Sequence, residues 1–115
     1  MIQFVLRFIL SLTIGTLNIV HAQSEQVEVR KVIDRLFDGM RVGDSTVVKD
    51  VFHDEASMVR ASDQGLRIGS IDQFIEAVGT VHDEIWDERI WDVEIFIDGR
   101  LASAWMEFAF FWVIS

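Results

Sequence analysis

Trp91-Asp92-Val93-Glu94-Ile95-Phe96-Ile97-Asp98-Gly99-Arg100-Leu101-Ala102-Ser103-Ala104-Trp105-Met106 is the stretch that decides the fold. Trp91, Val93, Ile95 and Ile97 alternate with acidic positions up to Asp98-Gly99, the strongest short signal for a hairpin turn. With Asp98 and Gly99 as the loop residues, Ile95 is expected to face Ala102, Val93 to face Ala104 and Trp91 to face Met106, all on one apolar side. The other side then pairs Phe96 with Leu101, Glu94 with Ser103, Asp92 with Trp105 and Ile90 with Glu107, a mixed surface of the kind that meets solvent or a second subunit. Beyond it, Phe108-Ala109-Phe110-Phe111-Trp112-Val113-Ile114 continues as an uncharged apolar strand whose edge calls for cover, so dimerisation or aggregation is expected.

Upstream, Ser70 followed by Gln73 reads as a capping box, and Ile71, Phe74, Ile75 and Val78 repeat at helical spacing, which predicts a helix to about Val81. Before it, Ala56–Ala61 and Leu66–Gly69 flank Asp63-Gln64-Gly65 and form a shorter hairpin. Further back, Val29, Val32, Ile33, Leu36, Phe37 and Met40 form the stripe of an amphipathic helix that starts with Ser24 as its N-cap. Gly39 weakens that helix, and Gly43-Asp44 both ends it and starts a short one, capped by Asp44 or Ser45, that closes at His53-Asp54-Glu55.

The first two dozen residues read as an export signal. Arg7 precedes the apolar run Phe8–Val20, and Val20-His21-Ala22 supplies a site for signal peptidase, so cleavage is expected between Ala22 and Gln23 with a mature domain over 23–115. The alternative is an uncleaved anchor, the only route by which a membrane enters. The 115 residues leave room for one domain, and the lack of cysteine excludes disulfides, thiolate metal sites and cysteine nucleophiles. Ten Lys and Arg against 19 Asp and Glu give a net charge of −9, which repels nucleic acid.

The order helix, short helix, hairpin, helix, long hairpin resembles the cone-shaped α+β fold of the nuclear transport factor 2-like superfamily (SnoaL-like, ketosteroid-isomerase-like) over about residues 26–111. The resemblance is carried by Val32-Ile33-Asp34-Arg35-Leu36-Phe37-Asp38-Gly39-Met40-Arg41-Val42-Gly43-Asp44, by Val51-Phe52-His53-Asp54-Glu55-Ala56, and by Phe96–Met106. The chain is most similar to the exported, lumazine-binding-like branch. The resemblance implies three helices packed on a curved, mostly antiparallel sheet. Members continue past the second long strand, so the final strands are expected to be missing and the chain truncated at its carboxyl end.

The superfamily includes isomerases, dehydratases and cyclases that direct acid and base side chains into the cone. The isomerase's oxyanion-donating Tyr position falls on Leu36 and its general-base Asp position on Arg60, and neither residue can serve, so no catalysis is assigned. The expected function is binding of a small apolar or aromatic ligand. Its pocket is expected to draw on Phe37, Met40, His53, Met58, Arg60, Trp91, Val93, Met106 and Phe108. Met58 and Arg60 share a strand face, and an arginine entering an apolar cone calls for an anionic ligand or for a carboxylate such as Glu107 or Asp54. The other readings are a dimeric interaction module using Leu101, Trp105 and Phe111, and a cofactor-free lyase using His53. The triplets His53-Asp54-Glu55 and His82-Asp83-Glu84 lack the i, i+3 or i+4 spacing of helical metal pairs, so neither a metal nor a cofactor is expected. The acidic run Asp83, Glu84, Asp87, Glu88, Asp92, Glu94 and Asp98 reads as a solvated face.

Overall fold

The computed structural model describes the backbone of residues 2–80 and 84–114 and the side chains of 19–80, 87–109 and 111. The fold is α+β: α1 (Ile2–Val42), α2 (Ser45–Val51), β1 (Ser57–Ser62), β2 (Gly65–Ser70), α3 (Ile71–Gly79), β3 (Glu84–Asp98) and β4 (Leu101–Ile114). Helix α1 runs through the expected start at Ser24, which therefore caps nothing. No proline interrupts residues 2–42, and Ala22-Gln23-Ser24-Glu25-Gln26 carries nothing strong enough to stop a helix already under way.

The helix stops where the sequence says it should. Gly43 adopts φ 69°, its N–H bonds to the Met40 carbonyl at 3.2 Å, and the Asp44 N–H bonds to the Gly39 carbonyl at 2.9 Å. These are the paired bonds of a Schellman cap, which needs a residue tolerant of the left-handed conformation. The Asp44 carboxylate then accepts from the N–H groups of Thr46 and Val47 at 3.1 and 3.2 Å and starts α2. Ser70 starts α3 by accepting from the Asp72 N–H at 3.1 Å, and that helix ends at Gly79, two residues short of the expected limit. Met40, Val48 and Val78, one from each helix, form the core, with Leu36, Phe37, Phe52, Phe74 and Ile75 packed against it.

Both hairpins form, and both are antiparallel. The resemblance implied one curved sheet; the described strands instead make two separate two-stranded sheets, β1 with β2 and β3 with β4. The long hairpin corrects the expected register. Its loop residues are Gly99 and Arg100, so that Asp98 faces Leu101, Ile97 faces Ala102 and Ile95 faces Ala104. Gly99 takes φ 58° and Arg100 has no positive φ, the turn with glycine at the first central position. Placing the turn one residue later shifts the register by two, which leaves the faces near the turn unchanged.

Further down, a β-bulge changes the faces. Between the pairs Glu94 with Trp105 and Trp91 with Glu107, strand β3 has one residue more than β4, so Asp92 and Val93 together oppose Met106. Asp92 absorbs the kink at φ 51°, a conformation that a short polar side chain tolerates. Below the bulge the alternation of β3 is reversed: Ile90 and Glu88 join Val93, Ile95 and Ile97 on the face of Met106 and Phe108. Trp91, expected on that inner face, moves to the outer one with Trp105 and Glu107. The inner face lies against α1, where the Gln26 side chain bonds to the Ile95 carbonyl at 3.3 Å.

Candidate functional site

Strands β1 and β2 pair Met58 with Gly69 and Arg60 with Arg67, so these four residues share one face, as the alternation of Met58 and Arg60 required. An open groove of about 360 Å³ runs between that face and the first turn of α3. Met58, Arg60 and Arg67 form one wall, and Ser70, Gln73 and Phe74 the other. Phe74 also belongs to the core: it packs edge-on against Phe52 with ring centroids 6.1 Å apart. The groove therefore has an apolar end fixed by the core and a cationic end in water. A molecule seated there would set apolar surface on Phe74 and Met58 and polar atoms on the two guanidinium groups.

The inner face of the long hairpin is the second apolar surface. Ile90, Val93, Ile95, Ile97 and Met106 are half-buried on it, and Phe108 stays 57% exposed. Among the described side chains of this surface one is a carboxylate, that of Glu88, only 6% exposed, and its Oε2 has no hydrogen-bond partner. Removal from water disfavours its charged form and raises its pKa above the ordinary glutamate value. A protonated Glu88 is a hydrogen-bond donor held in apolar surroundings. Its neighbour Asp87 behaves oppositely: bonds from Arg89 at 3.1 and 2.8 Å hold its carboxyl below the ordinary range, and Arg41 of α1 adds a contact at 3.5 Å.

The expected pocket residues divide among several places. Met58 and Arg60 meet in the groove, while Val93, Met106 and Phe108 lie on the inner hairpin face. Met40 is buried in the core and Phe37 packs against it. His53 is exposed in the turn after α2, where its Nδ1 accepts from the Glu55 N–H at 3.1 Å. Trp91 stands on the outer face, and its indole N–H donates to Glu107 at 3.0 Å. Arg60 has no ion pair with Glu107 or Asp54, the carboxylates that would have neutralised it.

Two residues of the site escaped the sequence reading. Counting Gly65 into the turn concealed the pairing of Arg60 with Arg67; the structure has a two-residue loop, Asp63-Gln64, with Gly65 at φ 107° closing the ladder opposite Ser62. The acidic alternation of β3 places Glu88 on a solvated face, and no local signal reports the bulge that turns it inward. Among the described residues no group of three or more His, Asp or Glu side chains gathers as a metal site; His82 and Asp83 lie outside them. No described helix is long and apolar enough to cross a membrane.

No curated protein and no solved structure matches the chain. A family profile does, over residues 24–111, which takes in the groove, the short hairpin, most of the long one and α1 from Ser24 onward. With α+β architecture, antiparallel hairpins and helices covering one face of them, the chain belongs to the family described as "Putative lumazine-binding".

Proposed function

We propose that this protein is an exported small-ligand-binding protein whose ligand, a flat heteroaromatic molecule of the lumazine kind, sits in the groove between the short hairpin and α3. The observation that carries the reading is the composition of that groove: Phe74, anchored in the core, at one end and the cross-strand partners Arg60 and Arg67 at the other. A ring gains from stacking on Phe74, and its carbonyl oxygens gain from the donors opposite. Binding without chemistry accounts for Leu36 and Arg60 at positions where the related isomerases keep their catalytic groups. In thermal melts of the purified protein, lumazine is expected to raise the melting temperature in a concentration-dependent way. Met58→Ala, at a partly exposed position in the groove wall, should reduce that rise while leaving the free protein's melt nearly unchanged. An unchanged melting temperature up to millimolar lumazine would overturn the reading.

A second reading, a dimer through the outer face of the long hairpin, is favoured by one observation. Phe96, Leu101 and Trp105 are exposed by 57%, 72% and 70% on that face, beside Trp91 and Phe111. Apolar surface gathered in this way marks an association site on a soluble protein. The two readings are compatible, since the groove and this face belong to different hairpins.

A further inference from the structure

We propose that Arg60 and Arg67 form a seat for an oxyanion, so that the ligand of the groove is a small apolar or aromatic molecule bearing a phosphate or carboxylate group. The proposal rests on the groove as the ligand site and adds to its ring an anionic substituent, which bare lumazine lacks and which strengthens binding. The two arginines are direct cross-strand partners, a placement that sets like charges opposite each other and weakens the hairpin unless something lies between them.

The treatment of the other cations makes this pair unusual. Arg30 pairs with Asp34, Arg35 with Asp50, Arg41 with Asp38 and Asp87, and Arg89 with Asp87. In a chain of 19 Asp and Glu, no carboxylate forms an ion pair with Arg60 or Arg67 among the described residues. Lys49 and Arg100 are likewise without an ion pair among the described residues, but each stands by itself, Lys49 in the last turn of α2 and Arg100 at the tip of the long hairpin.

The space around the pair suits an anion. A second opening, of about 370 Å³, lies on the turn side beside Ser62 and Gln64, and Arg60 and Arg67 line it as they line the first. Each guanidinium presents a planar fork of N–H donors, so two forks from adjacent strands can hold one tetrahedral or planar oxyanion from both sides. Asp63 lines the turn end of this opening and opposes the anion, which leaves a local charge of one positive unit and places the preferred position toward Gln73 and Phe74. There the apolar part of the same molecule reaches Phe74 and Met58.

Isothermal titration of the purified protein with phenyl phosphate, inorganic phosphate and benzyl alcohol tests this. Phenyl phosphate is expected to bind at least about ten-fold more tightly than benzyl alcohol, since bonds to a charged group are the stronger ones. Arg60→Gln and Arg67→Gln should each remove most of that advantage, with benzyl alcohol unaffected. Both substitutions relieve like-charge repulsion, so the melting temperature should hold or rise, which separates lost binding from lost folding.

Equal affinity of wild type and the double variant for phenyl phosphate would overturn the oxyanion seat, and retained binding of benzyl alcohol would then leave the groove reading standing. Arginine-dependent binding of inorganic phosphate with no gain from the phenyl ring would support the seat and overturn the groove reading. Co-sedimentation with phosphatidylglycerol vesicles distinguishes the source of the anion: arginine-dependent pelleting assigns it to a lipid headgroup, and its absence to a soluble molecule.

Discussion

Glu88 and Asp87 are neighbours that respond to pH in opposite senses. Burial raises the pKa of Glu88, so as pH climbs from the ordinary glutamate range to the raised value the unfolded chain releases a proton that the folded chain keeps, and stability falls across that window. Asp87, lowered by its bonds from Arg89, contributes stability above the ordinary aspartate range that is lost as pH drops through its lowered value. Glu88→Gln, a neutral mimic of the protonated acid, is therefore expected to stabilise the protein at pH 7, because the amide neither charges nor has to hold a proton there. Thermal melts at pH 4 should show wild type and variant nearly coincident; a gain of the same size at both pH values would show that the carboxyl is not the cause. Arg67 was within reach of sequence reasoning, since it mirrors Arg60 across a two-residue turn. Glu88 was not, because its inward orientation depends on a bulge four residues away.

Helices α1 and α2 pack closely because Gly39 has no side chain. A methyl group built there would stand 3.0 Å from Val47 Cγ1 and 3.1 Å from Val48 Cγ2. Both valines are β-branched and stiff, and Val48 is fully buried, so neither yields cheaply. Gly39→Ala gains about 1 kcal/mol of helix propensity but overpacks the contact by about 1–3 kcal/mol, so a net loss near 1 kcal/mol is expected in urea unfolding. In a Val47→Ala background, which removes one of the two contacts, the same change should cost less, and an unchanged loss would locate the strain elsewhere. The sequence reading treated Gly39 as a weakness of the helix; packing is what makes it useful. The caps were the most legible parts of these elements, since Gly43 and Asp44 act through their own backbone and side chains and need no distant partner.

At the scale of the whole molecule, the radius of gyration of 20.5 Å exceeds the value of about 13 Å for a compact domain of this size. The long helix accounts for the difference: 41 residues at about 1.5 Å each carry its amino-terminal half well beyond the hairpins. Ile19 and Val20 are exposed by 60% and 58%, whereas Gln26 is already bonded to the long hairpin. Removal of residues 1–22 would therefore leave the described packing of the domain in place. Mass spectrometry of exported protein is expected to find Gln23 as the first residue, and a retained leader would refute the cleavage. The outer aromatic face predicts self-association at tens of micromolar, measurable by light scattering. Trp105→Lys, which removes the most exposed of its large aromatic side chains, should shift the population toward monomer, and a monodisperse wild-type monomer would exclude the face as an interface.

Periodicity and turn chemistry by themselves determined the order of the elements, the caps at Asp44 and Ser70 and the existence of both hairpins, because each of these depends on residues within a few positions of one another. The faces presented below the bulge, the burial of Glu88 and the displacement of Trp91 to the outer side were decided only in the tertiary structure. A single extra residue at Asp92 reverses the alternation of everything before it, and whether that residue is accommodated as a bulge depends on what α1 and β4 can pack against, which no local pattern encodes.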